Sequence, residues 1–358
     1  MAIQNVTSPN ILGDDIMQVI LSRLPVKSLV RFRAVSKSWN TIISNPRFAS
    51  LHFEQSKVSS DILFVQRIDH NKNVFYPVRF ENRKLHFEAS RLEVNTRWGC
   101  KIAVSCTCEG VVLLTDDSNA RYTLWNPSTQ TKTEFLCPYT FQHSTRNWLC
   151  YDPITDDFKV VVVSWGSYTV YSCKNKSWSP KGKRVPYCLR GRSTSSLGVS
   201  ADGAVYWVAD SKNITWFDPR DDEFKTLQKP EYVKDKDGFN LVCLRGRLCL
   251  YCNVRDQETA VKIWKKDKGL DASCWEELVK IEIKNEKQMP IVSFKPLCLV
   301  ENNNKILIRV EGARYGVYSP CEKTFEELSE DCSFDSLVPF EQSLYFFPTR
   351  SLGLSYQY

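Results

Sequence analysis

Five short turn segments recur along this chain at a nearly constant interval, and the interval narrows the possible folds more than any other feature. Trp125-Asn126-Pro127-Ser128-Thr129, Trp216-Phe217-Asp218-Pro219 with Phe224, and Val317-Tyr318-Ser319-Pro320 with Phe325 share one plan. An aromatic strand end runs into Asn, Asp or Ser, then Pro, then polar residues and a second aromatic. Such a string makes a hairpin turn, because the small polar side chain caps its own backbone and Pro presets φ. The flanking aromatics can then pair across the two strands. Tyr171-Ser172-Cys173 with Trp178 follows the plan without the proline, and Ile263-Trp264-Lys265 with Trp275 follows it with a longer loop. Taken at 127, 173, 219, 265 and 320, the turns are separated by 46, 46, 46 and 55 residues. One step of 45 back from 127 falls on Asn82, between strand-like runs at 74–80 and 84–89.

A period near ~45 residues with about four strands in each repeat is the signature of a β-propeller blade. The runs between the turns are those of strands: Ile62-Leu63-Phe64-Val65, Gly110-Val111-Val112-Leu113-Leu114, Lys159-Val160-Val161-Val162-Val163, Ala204-Val205-Tyr206-Trp207-Val208 and Lys305-Ile306-Leu307-Ile308. A second hairpin, from Tyr151-Asp152-Pro153 through Asp156-Asp157-Phe158 to Val161, falls between two repeat turns and reads as the inner-strand turn of the same blade. The count is six blades. Leu337-Val338-Pro339 and Ser343-Leu344-Tyr345-Phe346-Phe347 have no turn of their own, and the expectation is that both return to complete the blade begun at Ile62. A seven-blade ring and an open sandwich are the alternatives.

Residues 12–53 have a different texture. Ile16, Ile20 and Leu24 recur every four residues with Val19 alongside, giving one helix an apolar face. Asp14 and Asp15 stand at its start, where negative charge complements the helix dipole. Pro25 ends it, and Val26, Leu29, Phe32 and Val35 continue the pattern in a second segment. Ser36 precedes Trp39, Ile42 and Ile43 as an N-cap precedes a third helix, and Asn45-Pro46 opens a fourth. About forty such residues are marginal alone and need something to dock on.

These residues resemble a family. Ile11-Leu12, Asp14-Asp15-Ile16, the run from Ile20-Leu21-Ser22-Arg23-Leu24-Pro25 to Val26-Lys27-Ser28-Leu29, Arg31-Phe32-Arg33, Val35-Ser36-Lys37, Trp39 and Pro46-Arg47-Phe48 look like an F-box, with Leu12-Gly13 where the family has Leu-Pro. The Tyr151-Asp152-Pro153 string and Trp125-Asn126-Pro127 resemble the F-box-associated interaction domain of plant F-box proteins, the kelch-like and S-locus F-box kind, over roughly residues 95–330. Leu149 and Cys150 stand where that family commonly has glycines. The chain thus reads as an α+β multidomain protein. A small N-terminal helical F-box occupies 9–54, a linker 55–61 and an all-β propeller 62–358.

The resemblance implies a substrate-recognition subunit of an SCF-type E3 ubiquitin ligase. It would bind a Skp-class adaptor and, through it, cullin and RING subunits, and would present a protein substrate on the propeller. The residues assigned to the adaptor contact, or to the packing behind it, are Leu12, Ile16, Ile20, Leu24, Pro25, Val26, Leu29, Phe32, Val35, Lys37 and Trp39. Two other readings stay open: a propeller that binds a glycan or small molecule with the F-box as a tether, and a scaffold working outside the ligase.

Composition agrees with an intracellular partner-binding protein. There is no N-terminal apolar run with a cleavage site and no stretch near the ~20 apolar residues that span a bilayer. The 14 cysteines then read as reduced and mostly buried, the sequons at Asn5, Asn175 and Asn213 as idle, and the compartment as cytosol, nucleus or both. No G-x-S-x-G, H-E-x-x-H or P-loop is present, and His52, His70, His86 and His143 are scattered, so neither catalysis nor a cofactor is expected. Asp156-Asp157 reads as a turn. Cys249 and Cys252 form a C-x-x-C, but residues three apart on a strand point to opposite faces, so no metal site is expected.

Charge is uneven. Arg23, Lys27, Arg31, Arg33, Lys37 and Arg47 lie in residues 23–52 without an acid, which suits an acidic adaptor surface or a solvated helical face. Lys174, Lys176, Lys181, Lys183, Arg184, Arg190 and Arg192 form a second acid-free run. It reads as an exposed connection, or as a grip on an acidic or phosphorylated substrate. A net charge of +7 over 358 residues is no continuous stripe, so nucleic acid is not expected. Trp98, Trp148, Trp165, Tyr168 and Tyr187 are candidate rim anchors for a partner. The substrate-facing set is Lys183, Arg184, Arg190, Arg192, Trp165, Tyr168 and Tyr187.

Overall fold

The computed structural model describes residues 14–347 apart from 57–60, 70–71, 82–83, 88–91, 94–101, 117–119, 141–144, 165, 181, 191–197, 236–237, 255–259, 271–272, 283–293, 301–303, 311–313 and 329–336. Four helices come first: α1 (Asp14–Leu21), α2 (Val26–Phe32), α3 (Lys37–Ile43) and α4 (Pro46–Ser56). Their boundaries follow local chemistry. Pro25 precedes α2 in extended conformation. The Ser36 hydroxyl accepts from the Trp39 amide at 3.1 Å to cap α3. Asn45 Oδ1 accepts from the Arg47 amide at 2.9 Å ahead of α4, which opens on Pro46. That last helix runs to Ser56, past the expected start of the linker.

Six antiparallel sheets follow, each a meander around a common axis. The second blade is Ile102–Cys108, Val111–Asp116, Arg121–Asn126 and Thr131–Leu136, ordered from the axis outward. The third is Arg146–Asp152, Asp157–Ser164, Ser167–Ser172 and Ser177–Trp178, with Lys183–Arg184 also on the edge of Ser167–Ser172. The fourth, fifth and sixth begin at the inner strands Val199–Ala201, Asn240–Leu244 and Phe294–Val300. The first blade takes its inner strand from the other end of the chain: Leu337–Phe340 pairs antiparallel with Asp61–Asp69, Asp61 opposite Phe340. This closes the ring and leaves the first sheet no bare inner edge.

The repeat turns at 127, 173, 219 and 320 fall in the hairpins joining the third and fourth strands of their blades, whereas 265 lies in the third strand of the fifth blade, Ala260–Lys266, whose hairpin follows at 267–274. The capping is as the residue types require. Asn126 Oδ1 accepts from the Ser128 amide at 2.8 Å, Asp218 Oδ1 from Arg220 at 2.9 Å, and Ser172 Oγ from Asn175 at 3.0 Å. Phe217 opposes Phe224 with ring centroids 5.3 Å apart, and Tyr171 opposes Trp178 at 5.1 Å. Asn82 lies outside the described residues, between the paired Glu81 and Lys84.

Blades are also stitched near the axis. Glu109-Gly110, Asp202-Gly203 and Arg245-Gly246 each have both residues at positive φ, forming two-residue hairpins from the inner strand to the next. The Tyr151 amide donates to Gly203 O at 2.7 Å, and the Asp202 amide to Gly246 O at 2.8 Å.

One expectation is corrected here. Ser343, Leu344, Tyr345, Phe346 and Phe347 form no strand and do not complete the first blade. They cross under the second blade, where the Asn126 amide group donates to Ser343 O, Ser343 Oγ and Tyr345 O at 3.1, 3.0 and 2.9 Å. Thr131 Oγ1 accepts from the Phe347 amide at 3.1 Å. Four of the five are aromatic or aliphatic, and they have a better place than a sheet edge. Leu344, Tyr345 and Phe347 share one core with Leu21, Val26, Leu29, Ile42, Ile43 and Phe48 of the helices and Leu149, Tyr151, Phe158 and Tyr171 of the blades. The helical unit is thus packed on the propeller, and each fully buried aliphatic contributes about 1.5–3 kcal/mol to that joint.

Candidate functional site

The helices leave one apolar face uncovered. In α1, Ile16, Val19 and Ile20 are 53, 52 and 46 % exposed, while Leu21 is fully buried and Met17 packs against the core. The spacing explains the split: i, i+3 and i+4 share one side of a helix, and the next residue turns inward. Val35, beyond α2, is 63 % exposed. Arg23, Pro25, Lys27, Arg31 and Lys37 are exposed around these aliphatics, with no acid between 16 and 53. An apolar patch ringed by cations is complementary to a surface that is apolar at its centre and acidic around it.

The sequence-derived adaptor set therefore divides. Ile16, Ile20, Pro25, Val35 and Lys37 face outward. Val26 and Leu29 are buried against the propeller, and Leu24, Phe32 and Trp39 are half-buried behind the surface. Phe32 and Trp39 meet edge to face at 5.2 Å, which makes them a support for the outer layer. Leu12 lies outside the described residues. Val19 was left out of the set although its position, three after Ile16, is the signal that places it there.

The propeller offers a second concave feature. Its axis encloses a cavity of about 470 Å³, lined by Ser105, Thr107, Trp148, Ser200, Asn240 and Lys295 among others. The helical unit sits toward the end of the barrel that carries the inner hairpins and the repeat turns. Its core reaches blades two and three, and Glu54 of α4 pairs with Lys268, in the outer hairpin of the fifth blade. The inner strands begin at the opposite mouth.

The second basic run does not form one patch. Lys174 and Lys176 lie at the repeat turn, whereas Lys183 and Arg184 pair with Tyr168 and Ser167 at the far end of the same strand. Lys183 is ion-paired with Glu223 at 2.7 Å. Arg184, Arg190 and Tyr187 are exposed, Tyr187 to 86 %, and Arg190 Nε donates to Val185 O at 3.1 Å. Lys181 and Arg192 lie outside the described residues, as do Trp98 and Trp165. Tyr168 and Trp148 are not rim anchors. Tyr168 is buried between blades, its hydroxyl donating to Asp222 O at 2.8 Å, and Trp148 is buried edge-on to Trp207 at 4.8 Å.

The described thiols are buried or half-buried apart from Cys274 and Cys321, which are exposed. Cys249 and Cys252 belong to two different cores, on opposite faces of their strand. Burial pushes Cys249 and Cys106 up to about 12, so both stay protonated. Among the described residues no group of three His, Cys, Asp or Glu side chains is arranged to hold a metal. No described helix is long and apolar enough to cross a membrane.

Comparison with known families divides the chain at the same joint. Residues 10–51 match the F-box domain, and residues 51–277 match the F-box associated β-propeller domain. An F-box/kelch-repeat protein of Arabidopsis thaliana is 27 % identical over 300 residues, covering 75 % of this chain and 76 % of its own. A putative F-box protein of the same plant is 24 % identical over 335 residues, covering 84 % and 86 %. Among solved structures, a functionally unknown protein from Desulfotomaculum acetoxidans covers 78 % of this chain and 99 % of its own, at 12 % identity and a TM-score of 0.41.

Proposed function

This chain belongs to the F-box associated β-propeller family, and from that premise we propose that it is the target-recognition subunit of an SCF-type E3 ubiquitin ligase. The observation that carries the reading is the division of labour in the helical unit. Ile16, Val19 and Ile20 are offered to a Skp-class adaptor, while Val26 and Leu29 fasten the same unit to the propeller. The basic residues around the patch would speed encounter with an acidic adaptor surface.

The contribution to ubiquitin transfer is proximity. A target held on the propeller is kept near the charged E2, so its lysines react at an effective concentration of ~mM or above, selected by geometry. With the helical unit on one end of the barrel, the opposite mouth and the Arg184–Tyr187–Arg190 edge are the surfaces left for a target. The buried thiols Cys108, Cys150, Cys249 and Cys298 form no disulfide in this fold, in keeping with a reducing compartment, cytosol or nucleus.

Calorimetry of the full chain with a Skp-class adaptor tests the reading. Sub-micromolar binding abolished by Ile16→Asp/Ile20→Asp supports it. Absence of binding by a folded wild-type chain overturns it.

A further inference from the structure

Two cations face each other on adjacent strands of the last blade, with no acid between them among the described residues. Lys295 is on the inner strand Phe294–Val300, Arg309 on its neighbour Lys305–Val310, and the two are direct register partners. Residues so opposed have their Cβ atoms about 4.5–5.5 Å apart on one face of the sheet, where like charges repel. Neither makes an ion pair or side-chain hydrogen bond among the described residues.

Both side chains are exposed, on strands from which other residues pack against the first blade. Leu307, two residues before Arg309, and Tyr315, its partner on the next strand, pack with Ile62 and Val78 of the first blade. The cations therefore lie on the side of the last blade turned toward the first. Lys295 also lines the central cavity, near the start of its strand and so toward the mouth away from the helices. The dense surroundings, and then the charge of Arg309, push the Lys295 ammonium below its ordinary pKa, although the side chain still reaches solvent. The fold holds two repelling charges beside a cavity open to solvent.

We propose that Lys295 and Arg309 form a binding site for an oxyanion, a carboxylate or phosphate group, entered from the open mouth of the central cavity. The guanidinium can donate two parallel hydrogen bonds to such a group and the ammonium a third. An anion between the two converts their repulsion into attraction. A cavity of about 470 Å³ admits a small polyanion or a side chain of a bound protein. The site does not depend on the ligase reading.

The test uses the full chain in phosphate-free buffer, titrated calorimetrically with inorganic phosphate and, separately, with a tetraglutamate peptide. Wild type should bind at least one probe saturably, and Lys295→Met/Arg309→Met should bind it about 10- to 100-fold more weakly, as expected for lost charge-assisted hydrogen bonds. Lys295→Met alone should melt at or above the wild-type temperature in that buffer, because it relieves a repulsion. Tighter phosphate assigns the site to a free ion, and tighter peptide to an acidic side chain of a partner. Saturable binding of neither probe, binding unchanged in the double variant, or a lower melting temperature for Lys295→Met would each overturn the proposal.

Discussion

The guanidinium carbon of Arg33 lies 4.0 Å from the ring centroid of Phe346, so the end of the second helix is held by the last described segment of the chain. The same arginine donates to Asn40 Oδ1 at 2.9 Å, which links α2 to α3. From Phe346 the connection continues through Tyr345 and Ser343 to Asn126 in the second blade. The C-terminal strap therefore touches the helices, the blade hairpin and the shared core at once. The joint fixes how the helices are held on the propeller.

Asn126 is the member of that chain whose loss should be felt most. It is fully buried, and its amide group serves three acceptors on the strap while its carbonyl caps its own turn. Asn126→Ala takes the donor from the buried Ser343 carbonyl, at about 1–3 kcal/mol for that group, and removes the cap of its own turn, while Tyr345 O keeps the Thr129 hydroxyl at 3.0 Å. Arg33→Ala removes one partly exposed cation–π contact and the exposed hydrogen bond to Asn40, and should cost about 1 kcal/mol in all. Chemical denaturation of both variants gives the order. Arg33→Ala more damaging than Asn126→Ala would mean the strap is held from the helices, not from the blade.

The split of the apolar helical residues makes a second prediction. Ile20→Asp places a charge on the exposed face of α1 and should abolish adaptor binding while stability changes by less than about 0.5 kcal/mol. Leu29→Ala opens a cavity in the shared core and should cost ~2–5 kcal/mol. Its adaptor affinity, measured well below the melting temperature, should be close to wild type. If Leu29→Ala at full foldedness also loses the adaptor, the buried face is part of the interface.

The repeat was legible because turns are local: Asn126, Ser172 and Asp218 each cap a backbone amide two or three residues on, so spacing alone locates the blades. The fate of Ser343, Leu344, Tyr345, Phe346 and Phe347 was not legible. Alternation of large apolar residues reads as a strand wherever it occurs, and only the tertiary demand of two apolar surfaces, one on the helices and one under the blade, turned it into a strap. The same holds for the helices. Periodicity finds an apolar stripe on α1 and α2 but not which of two partners covers each part, so Ile16 and Leu29 carried one label in sequence and opposite exposures in the fold. Lys183 and Lys174, nine residues apart in the chain, ended at opposite ends of one strand because the edge pairing of the third blade runs between them.

Acid should loosen the helical unit through His52. The side chain is 1 % exposed, Nε2 lies 2.8 Å from Leu24 O and donates to it, and Nδ1 has no partner among the described residues. Burial lowers its pKa from 6.5, and the Leu24 hydrogen bond offsets this only in part. The folded state then binds fewer protons than the unfolded one. The stability this provides is complete above about pH 6.5 and is lost as pH falls below that value toward the folded pKa. His52→Gln should keep a donor near Leu24 O and flatten the fall in melting temperature between pH 7.5 and 5.5. An unchanged pH profile in the variant would assign the acid sensitivity to other groups.

Gly203 separates two costs that usually come together. Its φ is +78°, and a Cβ there would lie 2.7 Å from Tyr151 O, backbone of the neighbouring blade. Gly269 also has positive φ, +105°, but its Cβ would meet nothing within 4 Å. Gly269→Ala should therefore show the conformational cost alone, about 1–2 kcal/mol. Gly203→Ala adds a collision that neither backbone can escape without breaking the Tyr151 amide to Gly203 O bond, and should cost about 1–3 kcal/mol more. Denaturant titration of the two variants side by side measures the difference. Equal losses would mean the inner hairpins give way without disturbing their neighbours, and the Tyr151–Gly203 contact would not be what holds these two blades together.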